Sequence, residues 1–312
     1  MPVLSTIAAL AMLSLQPVAT EVSAPGPQGP LRGTLLAPEG EPRATLLILP
    51  GSGPTDRDGN NPMGVAAAPY RLLAEALAEQ GIASVRIDKR GLFGSAAAGN
   101  ANAVRVRDYV ADTRSWISTI RAQSGARCVW LLGHSEGVLI ALATAVENAD
   151  GVCGLVLVSG AGRRMSDVLR EQLPNSPFAP HLEAALAITA RLERGERVDA
   201  AAIEPALMPL FAPPIQDYLI DMFAHDPAVL AGRVQVPVLI VHGQSDLQTT
   251  ETDARRLAAA NPRARLVLLA GVNHVLKRVE GDDRAANVAA YANPALPLAD
   301  GVAEAIVEFV RP

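Results

Sequence analysis

The sequence predicts an α/β fold: a mostly parallel central sheet flanked by helices, with a helical cap inserted into it. Three observations predict this. Short runs that are apolar on both faces recur along the chain, as strands buried in the middle of a parallel sheet do. Amphipathic helical stretches fall between them, and strand–helix alternation marks a parallel α/β architecture. The alternation breaks once, over residues 163–232, where prolines and helical pieces replace strands. The chain has 312 residues, 49% of them hydrophobic, enough for one large domain with an insertion.

Residues 1–15 are apolar and uncharged, and Gln16, Pro17, Val18 and Ala19 follow. The pattern is that of the apolar region of a secretory signal with small residues near a cleavage point, although no Lys or Arg precedes it. Residues 1–24 are therefore expected to be a signal peptide and linker, and the protein to be periplasmic or secreted rather than cytoplasmic. No stretch reaches the roughly 18 uninterrupted apolar residues of a membrane span, so stable membrane insertion is not expected. Residues 20–30 are rich in Pro, Gly and small side chains and read as a linker.

Residues 31–36 suggest an edge strand. Ala44–Leu49, Ile82–Ile87, 128–132, 155–158, 238–241 and 266–269 are the buried strands. Helices are expected at 69–80, 104–122, 138–146, 253–260 and 302–310. The second of these carries Val106, Val110, Trp116, Ile117 and Ile120 on one face. Residues 25–162 and 233–312 then form the core, and 163–232 the cap. Within the cap, 182–192 and Gln216–Phe223 look helical, with Pro174, Pro177, Pro180, Pro205, Pro209, Pro213, Pro214 and Pro227 around them.

The net charge is −5, and the 27 Lys and Arg form no basic run, which argues against a nucleic-acid partner. Aromatic residues are 4% of the chain, too few for a base-stacking platform. No CxxC pair or HExxH is present, and the five histidines show no ligand spacing, so neither a metal nor another cofactor is expected.

The strongest local signal is Gly133-His134-Ser135-Glu136-Gly137, between an apolar run and a helix. A strand–turn–helix of this kind presents a serine hydroxyl above a sheet, and small residues are needed because the turn is tight. Ser135 is the expected nucleophile. His134 and Glu136 read as packing or surface residues, with the Glu136 backbone N–H as one oxyanion donor. A serine needs a base, and the base an orienting acid; in the fold that carries such a strand–turn–helix elbow, the chain order is Ser, acid, His.

Of the histidines, only His274 follows an apolar run through a short loop, whereas His181 and His225 lie in the insertion and His242 ends a strand. Asp246, at the carboxyl end of that preceding strand, is the expected acid. Glu251, Asp253, Asp282 and Asp283 compete less well for the place. The second oxyanion donor should come from Leu49-Pro50-Gly51-Ser52-Gly53-Pro54, with the Ser52 N–H preferred and Gly53 as the alternative. Phe178, Met208, Leu210, Phe211, Tyr218, Met222 and Phe223 supply apolar bulk in the cap, and Gly53, Phe211 and Phe223 are candidate substrate contacts.

With these residues in place, the chain from about residue 31 onward resembles the α/β-hydrolase superfamily. More narrowly it is similar to bacterial esterases with Gly-Ser-Gly-Pro-x-Asp-Arg-Asp-Gly after an early strand, here Gly51 to Gly59. Asp88-Lys89-Arg90-Gly91 is similar to the superfamily's Asp-x-Arg-Gly loop. The resemblance implies an esterase acting on a small-molecule ester of short or medium acyl length. Val138 departs from it, since many relatives carry glycine there. Asp56, Arg57 and Asp58 read as pins for their own loop more than as substrate ligands.

An exopeptidase on the same triad is the alternative. It would need carboxylates for a free amine, and Glu183, Glu193, Glu196, Glu204, Asp217 and Asp221 offer them without a recognisable arrangement. A non-catalytic binding relative is disfavoured because Ser, acid and His are all retained. Cys128 and Cys153 begin neighbouring strands about 4.8 Å apart, within reach of a disulfide. Side chains on opposite faces would forbid it, and free buried cysteines are common; both outcomes stay open.

Overall fold

A computed structural model describes residues 17–281 and 283–310. Of the expected signal peptide and linker, residues 1–24, the part up to residue 16 lies outside the described residues, as does the competing acid Asp282. Among the described residues, eight strands form one sheet in the order β1-β2-β4-β3-β5-β6-β7-β8. They are β1 (Val18–Ala24), β2 (Leu31–Ala37), β3 (Ala44–Leu49), β4 (Ile82–Ile87), β5 (Val129–His134), β6 (Val152–Val158), β7 (Val238–Gly243) and β8 (Arg265–Leu269). β1 and β2 run antiparallel to their neighbours, and all pairings from β4 to β8 are parallel.

The linker expected at residues 20–30 is corrected in its first part. Val18 to Ala24 pair in full register with β2, from Val18↔Ala37 to Ala24↔Leu31. β1, not β2, is therefore the sheet edge. Its first four residues are exposed, so it has little of the apolar patterning that reveals an inner strand.

Helices pack on both faces of the sheet: α1 (Pro69–Glu79), α2 (Val106–Ser124), α3 (Glu136–Glu147), α9 (Glu251–Ala260) and α11 (Val302–Phe309). Alternate residues of one strand serve opposite faces, as a pleated strand requires. In β3, Leu47 and Leu49 pack with Trp116 and Ile117 of α2, while Leu46 and Ile48 pack with Leu73 and Leu77 of α1 and Ile306 of α11. That is why the inner strands are apolar throughout. α10 (Arg284–Tyr291), which the apolar pattern does not reveal, is capped at its start by the Asp283 carboxylate. Among the described residues no helix is long and apolar enough to cross a membrane.

The cap contains α4 (Met165–Gln172), α5 (Leu182–Glu193), α6 (Met208–Phe211), α7 (Gln216–Phe223) and α8 (Pro227–Arg233). Gln216, fully buried, staples it: its amide donates to the Val198 and Phe211 carbonyls and accepts from the Val198 N–H. Tyr218 stacks edge-on against Tyr109 of α2 at 5.8 Å, and the Asp221 carboxylate accepts from the Val106 N–H that opens α2. The cap is thus tied to the core at its entry to α2.

Cys128 and Cys153 are joined, with Cα atoms 5.1 Å apart. Val129 pairs with Val152 but Trp130 with Gly154, so Cys153 is the extra residue of a bulge beside Cys128. The bond lies at the amino end of the two strands, away from Ser135. Denatured, unreduced protein should show no reactive thiol, and a Cys128→Ser/Cys153→Ser variant should lose about 3 kcal/mol of stability by closing no loop in the unfolded chain. Two titratable thiols, or a variant as stable as the parent, would contradict this pairing.

Candidate active site

Ser135 sits between β5 and α3 with φ 54° and ψ −120°, a backbone conformation that side chains avoid. Its neighbours explain how it is held. A Cβ at Gly133 would overlap the Gly137 carbonyl, and one at Gly137 would overlap the Leu49 carbonyl. The Ser135 N–H donates to the Val158 carbonyl at 3.0 Å, and the Ser135 carbonyl accepts from Val138 N–H at 3.0 Å. Val138, the departure from the superfamily pattern, fills the space against Gly160, where an added Cβ would lie 2.5 Å from a Val138 methyl. The extra bulk behind the elbow is matched by a missing side chain opposite.

His274 follows β8 and meets Asp246, which follows β7. The His274 Nδ1–H donates to Asp246 Oδ2 at 2.8 Å. The carboxylate side chain is fully buried, and its oxygens also accept from the Gln248 N–H at 2.7 Å, the Thr249 N–H at 3.0 Å and the Thr249 hydroxyl at 3.1 Å. Burial alone would raise the Asp246 pKa. The His274 ring and the backbone donors outweigh it and hold the carboxyl at about 2. With Nδ1 committed, His274 keeps Nε2 for a hydroxyl. The competing acid Asp253 is spent on the start of α9 and on Arg163, whose Nε lies 2.9 Å away.

His134 is buried, which removes its surface reading, and it links three parts of the site. Its Nε2 lies 2.8 Å from the His274 carbonyl, and its Nδ1 lies 2.8 Å from the Tyr70 hydroxyl. A carbonyl only accepts, so Nε2 carries the proton. Burial, and then the neighbouring His274, push the His134 pKa down to about 3, so the ring is neutral and Nδ1 accepts. Tyr70 must then donate to Nδ1, and its oxygen accepts from the Gly51 N–H at 3.0 Å. One directed chain runs from the 50–53 loop through α1 and the elbow to the backbone of His274.

The Gly51–Ser52–Gly53 loop lies against the elbow: a Cβ on Gly51 would stand 3.2 Å from the Ser135 Cβ. The Thr55 hydroxyl and N–H brace it through the Ser52 and Gly53 carbonyls. Among the described residues, neither the Ser52 N–H nor the Glu136 N–H is given to a protein acceptor. Asp56 caps its own turn by accepting from the Asp58 and Asn60 N–H groups. Arg57 bridges Asp88 and Glu21, the latter on β1, and Asp58 pairs with Arg86. These charged residues therefore pin their loop.

A recess opens beside Ser135, with Leu139, Ala161, Met165 and Met222 as its apolar wall. Arg163 and His225 also border it, but Arg163 is already paired with Asp253 and Glu171. Phe211 and Phe223, expected as substrate contacts, do not line it. Both are fully buried with Leu192 and Leu207 in the apolar core that the cap shares with the sheet, α2 and α3. Gly53 does not line the recess either, and a Cβ there would meet Asn61 and Met63 at 3.5 and 3.7 Å. Their size marks the phenylalanines as apolar; only the helix orientation reveals that they point inward. Tyr70, Lys89 and Met165 are site neighbours for which the sequence carries no separate signal.

The neutral His134 has a measurable consequence. In the unfolded chain it takes up a proton near pH 6.5, but in the native protein only near 3. The native state therefore loses stability as pH falls between these values, by up to about 1.4 kcal/mol per pH unit from this residue. Asp246 contributes only lower down, since its stabilisation is lost as pH falls from 3.8 through about 2. Chemical denaturation from pH 8 to 4 should show a flatter profile for His134→Asn, on a lower overall stability. An unchanged slope would contradict the neutral ring.

Residues 63–278 match the family model described as serine aminopeptidase, S33. Esterase EstD of Thermotoga maritima is 26% identical over 263 residues, covering 80% of this chain; the chain spans 59% of that relative's length. Est1E of Butyrivibrio proteoclasticus, in a structure with ferulic acid bound, superposes with a TM-score of 0.59 at 16% identity, over 93% of this chain and 96% of that one. Proline iminopeptidase of Mycobacterium smegmatis gives 0.56 at 17% identity, over 87% and 96%. At these identities the structural likeness establishes the shared α/β-hydrolase fold. By the span of the family match, the chain belongs to the S33 serine aminopeptidase family of α/β hydrolases.

Proposed function

We propose that this serine hydrolase is a carboxylesterase that cleaves short- to medium-chain acyl esters through Ser135, His274 and Asp246. The observation that carries the reading is the 2.8 Å bond from His274 Nδ1 to the buried Asp246 carboxylate, in a loop held to the elbow of Ser135. His274 Nε2 takes the Ser135 proton as the hydroxyl oxygen attacks the ester carbonyl. The oxyanion rests on the Ser52 and Glu136 N–H groups, a kind of contact worth about 3–4 kcal/mol each in the barrier. The alcohol leaves with the proton from His274. Water, deprotonated by the same ring, then attacks the acyl-enzyme and releases the acid. The esterase names among the relatives support this choice of substrate.

The exopeptidase reading has less support. Glu193, Glu196, Glu204 and Asp217 are all taken by basic partners at the cap surface, and Asp221 by the start of α2. The carboxylate at the recess is that of Glu136, with the Lys89 ammonium 3.4 Å away. No free acid there waits for a substrate amine among the described residues. The Cys128–Cys153 bond favours an oxidising compartment, the periplasm or the exterior, as the working place.

Ser135→Ala should abolish ester hydrolysis and fluorophosphonate labelling while leaving the fold intact, and His274→Ala should do nearly the same. Asp246→Asn should lose about 10⁴ in kcat, because it favours the wrong tautomer. Turnover of wild-type size in Ser135→Ala, or activity abolished by a chelator, would overturn the reading. For specificity, Met222→Ala or Met165→Ala should lengthen the preferred acyl chain on a panel from acetate to octanoate. Phe211→Ala should instead cost about 3–5 kcal/mol of stability without moving that profile. A shift confined to Phe211→Ala would show that the recess is not the acyl site.

A further inference from the structure

Lys89 is a buried cation that the proposed acyl transfer leaves without a role. It follows β4 in the Asp88-Lys89-Arg90-Gly91 loop, where its neighbours are structural clamps. Asp88 holds Arg57, and Arg90 holds Asp112 through two bonds of 2.6 Å. Lys89 turns the other way. Its side chain is 8% exposed, and its ammonium donates to the Gly51 carbonyl at 2.8 Å. A second contact reaches Glu136 Oε1 at 3.4 Å, and the Tyr109 ring lies under it at 5.6 Å.

The Gly51 carbonyl and the Ser52 N–H belong to the same planar, trans peptide unit. They point in opposite directions, so fixing one fixes the other. The other face of Gly51 is already fixed, because its N–H is held by Tyr70. We infer that Lys89 is the positioning residue of the oxyanion hole: by gripping the Gly51 carbonyl it aims the Ser52 N–H at the place where the oxyanion forms. Its bond to Glu136 ties in the residue whose own N–H is the second donor. One ammonium thus spans both halves of the hole.

Orientation is one part of the effect. A cation on a peptide oxygen also draws electron density from that peptide, so the N–H on its far side donates more strongly. In a buried site this polarisation is little screened. The Glu136 carboxylate balances the charge, so the ammonium can sit in the wall without adding a net charge to the pocket. A surface lysine could not do this, because water would screen its charge and its flexible stem would not hold the peptide in place.

The inference rests on the acyl-transfer reading. The test compares wild type with Lys89→Met. Because the single variant leaves the Glu136 carboxylate buried without its cation, Lys89→Met/Glu136→Gln is made alongside it and judged by the same ratio. The probe is an alkyl trifluoromethyl ketone, whose adduct with the nucleophile carries the oxyanion. Its Ki and the KM for the matching ester are measured on protein shown to be folded by its thermal transition. Loss of aim should raise Ki by about 10- to 100-fold and lower kcat in parallel, with KM changed by less than about threefold. A variant with a lower thermal midpoint but an unchanged ratio of Ki to KM would show that Lys89 only packs, leaving the acyl-transfer reading intact. Failure of the ketone to inhibit wild type would overturn that reading, and this inference with it.

Discussion

Gly137 is pressed against the carbonyl of Leu49, with no room for even a methyl group between them. The geometry around Ser135 depends on that contact. It brings the end of β3 against the start of α3, so the loop that leaves β3 must pass beside Ser135. The turn beside that contact, at residue 135, is strained, and its N–H and carbonyl are held by Val158 and Val138. The packing of β3 and β5 against both helical layers supplies that constraint. The site is therefore a consequence of how closely two parallel strands can end.

Close approach sets positions, and a few buried polar contacts set orientations. Gly51 is held from both sides, by Tyr70 at its N–H and by Lys89 at its carbonyl. Asp246 holds one ring nitrogen of His274, while His134 holds the carbonyl of the same residue. An ordinary hydrogen bond adds about 1 kcal/mol to stability, but a buried group left without its partner costs more. These contacts matter less as a sum of stability than as a set of directions that excludes alternatives. Charge is distributed to suit: His134 stays neutral on one side of His274, and Asp246 stays ionised on the other.

Much of this is legible in the sequence because inner strands of a parallel sheet leave a distinctive mark. Both faces of β3, β5, β6 and β7 are buried, so their apolar runs stand out against the helices. The elbow is legible because only glycine fits at 133 and 137. β1 is not, since an exposed edge strand of small and polar residues looks like a linker. The cap hides its details for a different reason. Phe211 and Phe223 have the bulk expected of a pocket wall, yet their placement is decided by helix packing across the insertion, and Met165 and Met222 take the wall instead. Tyr70 and Lys89 lie 65 and 46 positions before Ser135, so only the folded chain reveals that they act on one glycine.

In the proposed acyl transfer, the elbow and the Gly51–Ser52 loop act as a single reaction centre. The most direct measurement is a crystal structure of the protein after reaction with an alkyl phosphonate. Phosphorus should be bonded to Ser135 Oγ, with the phosphonyl oxygen within about 3.1 Å of both the Ser52 and Glu136 nitrogens. An adduct on another residue, or a phosphonyl oxygen turned to solvent away from those two N–H groups, would contradict it.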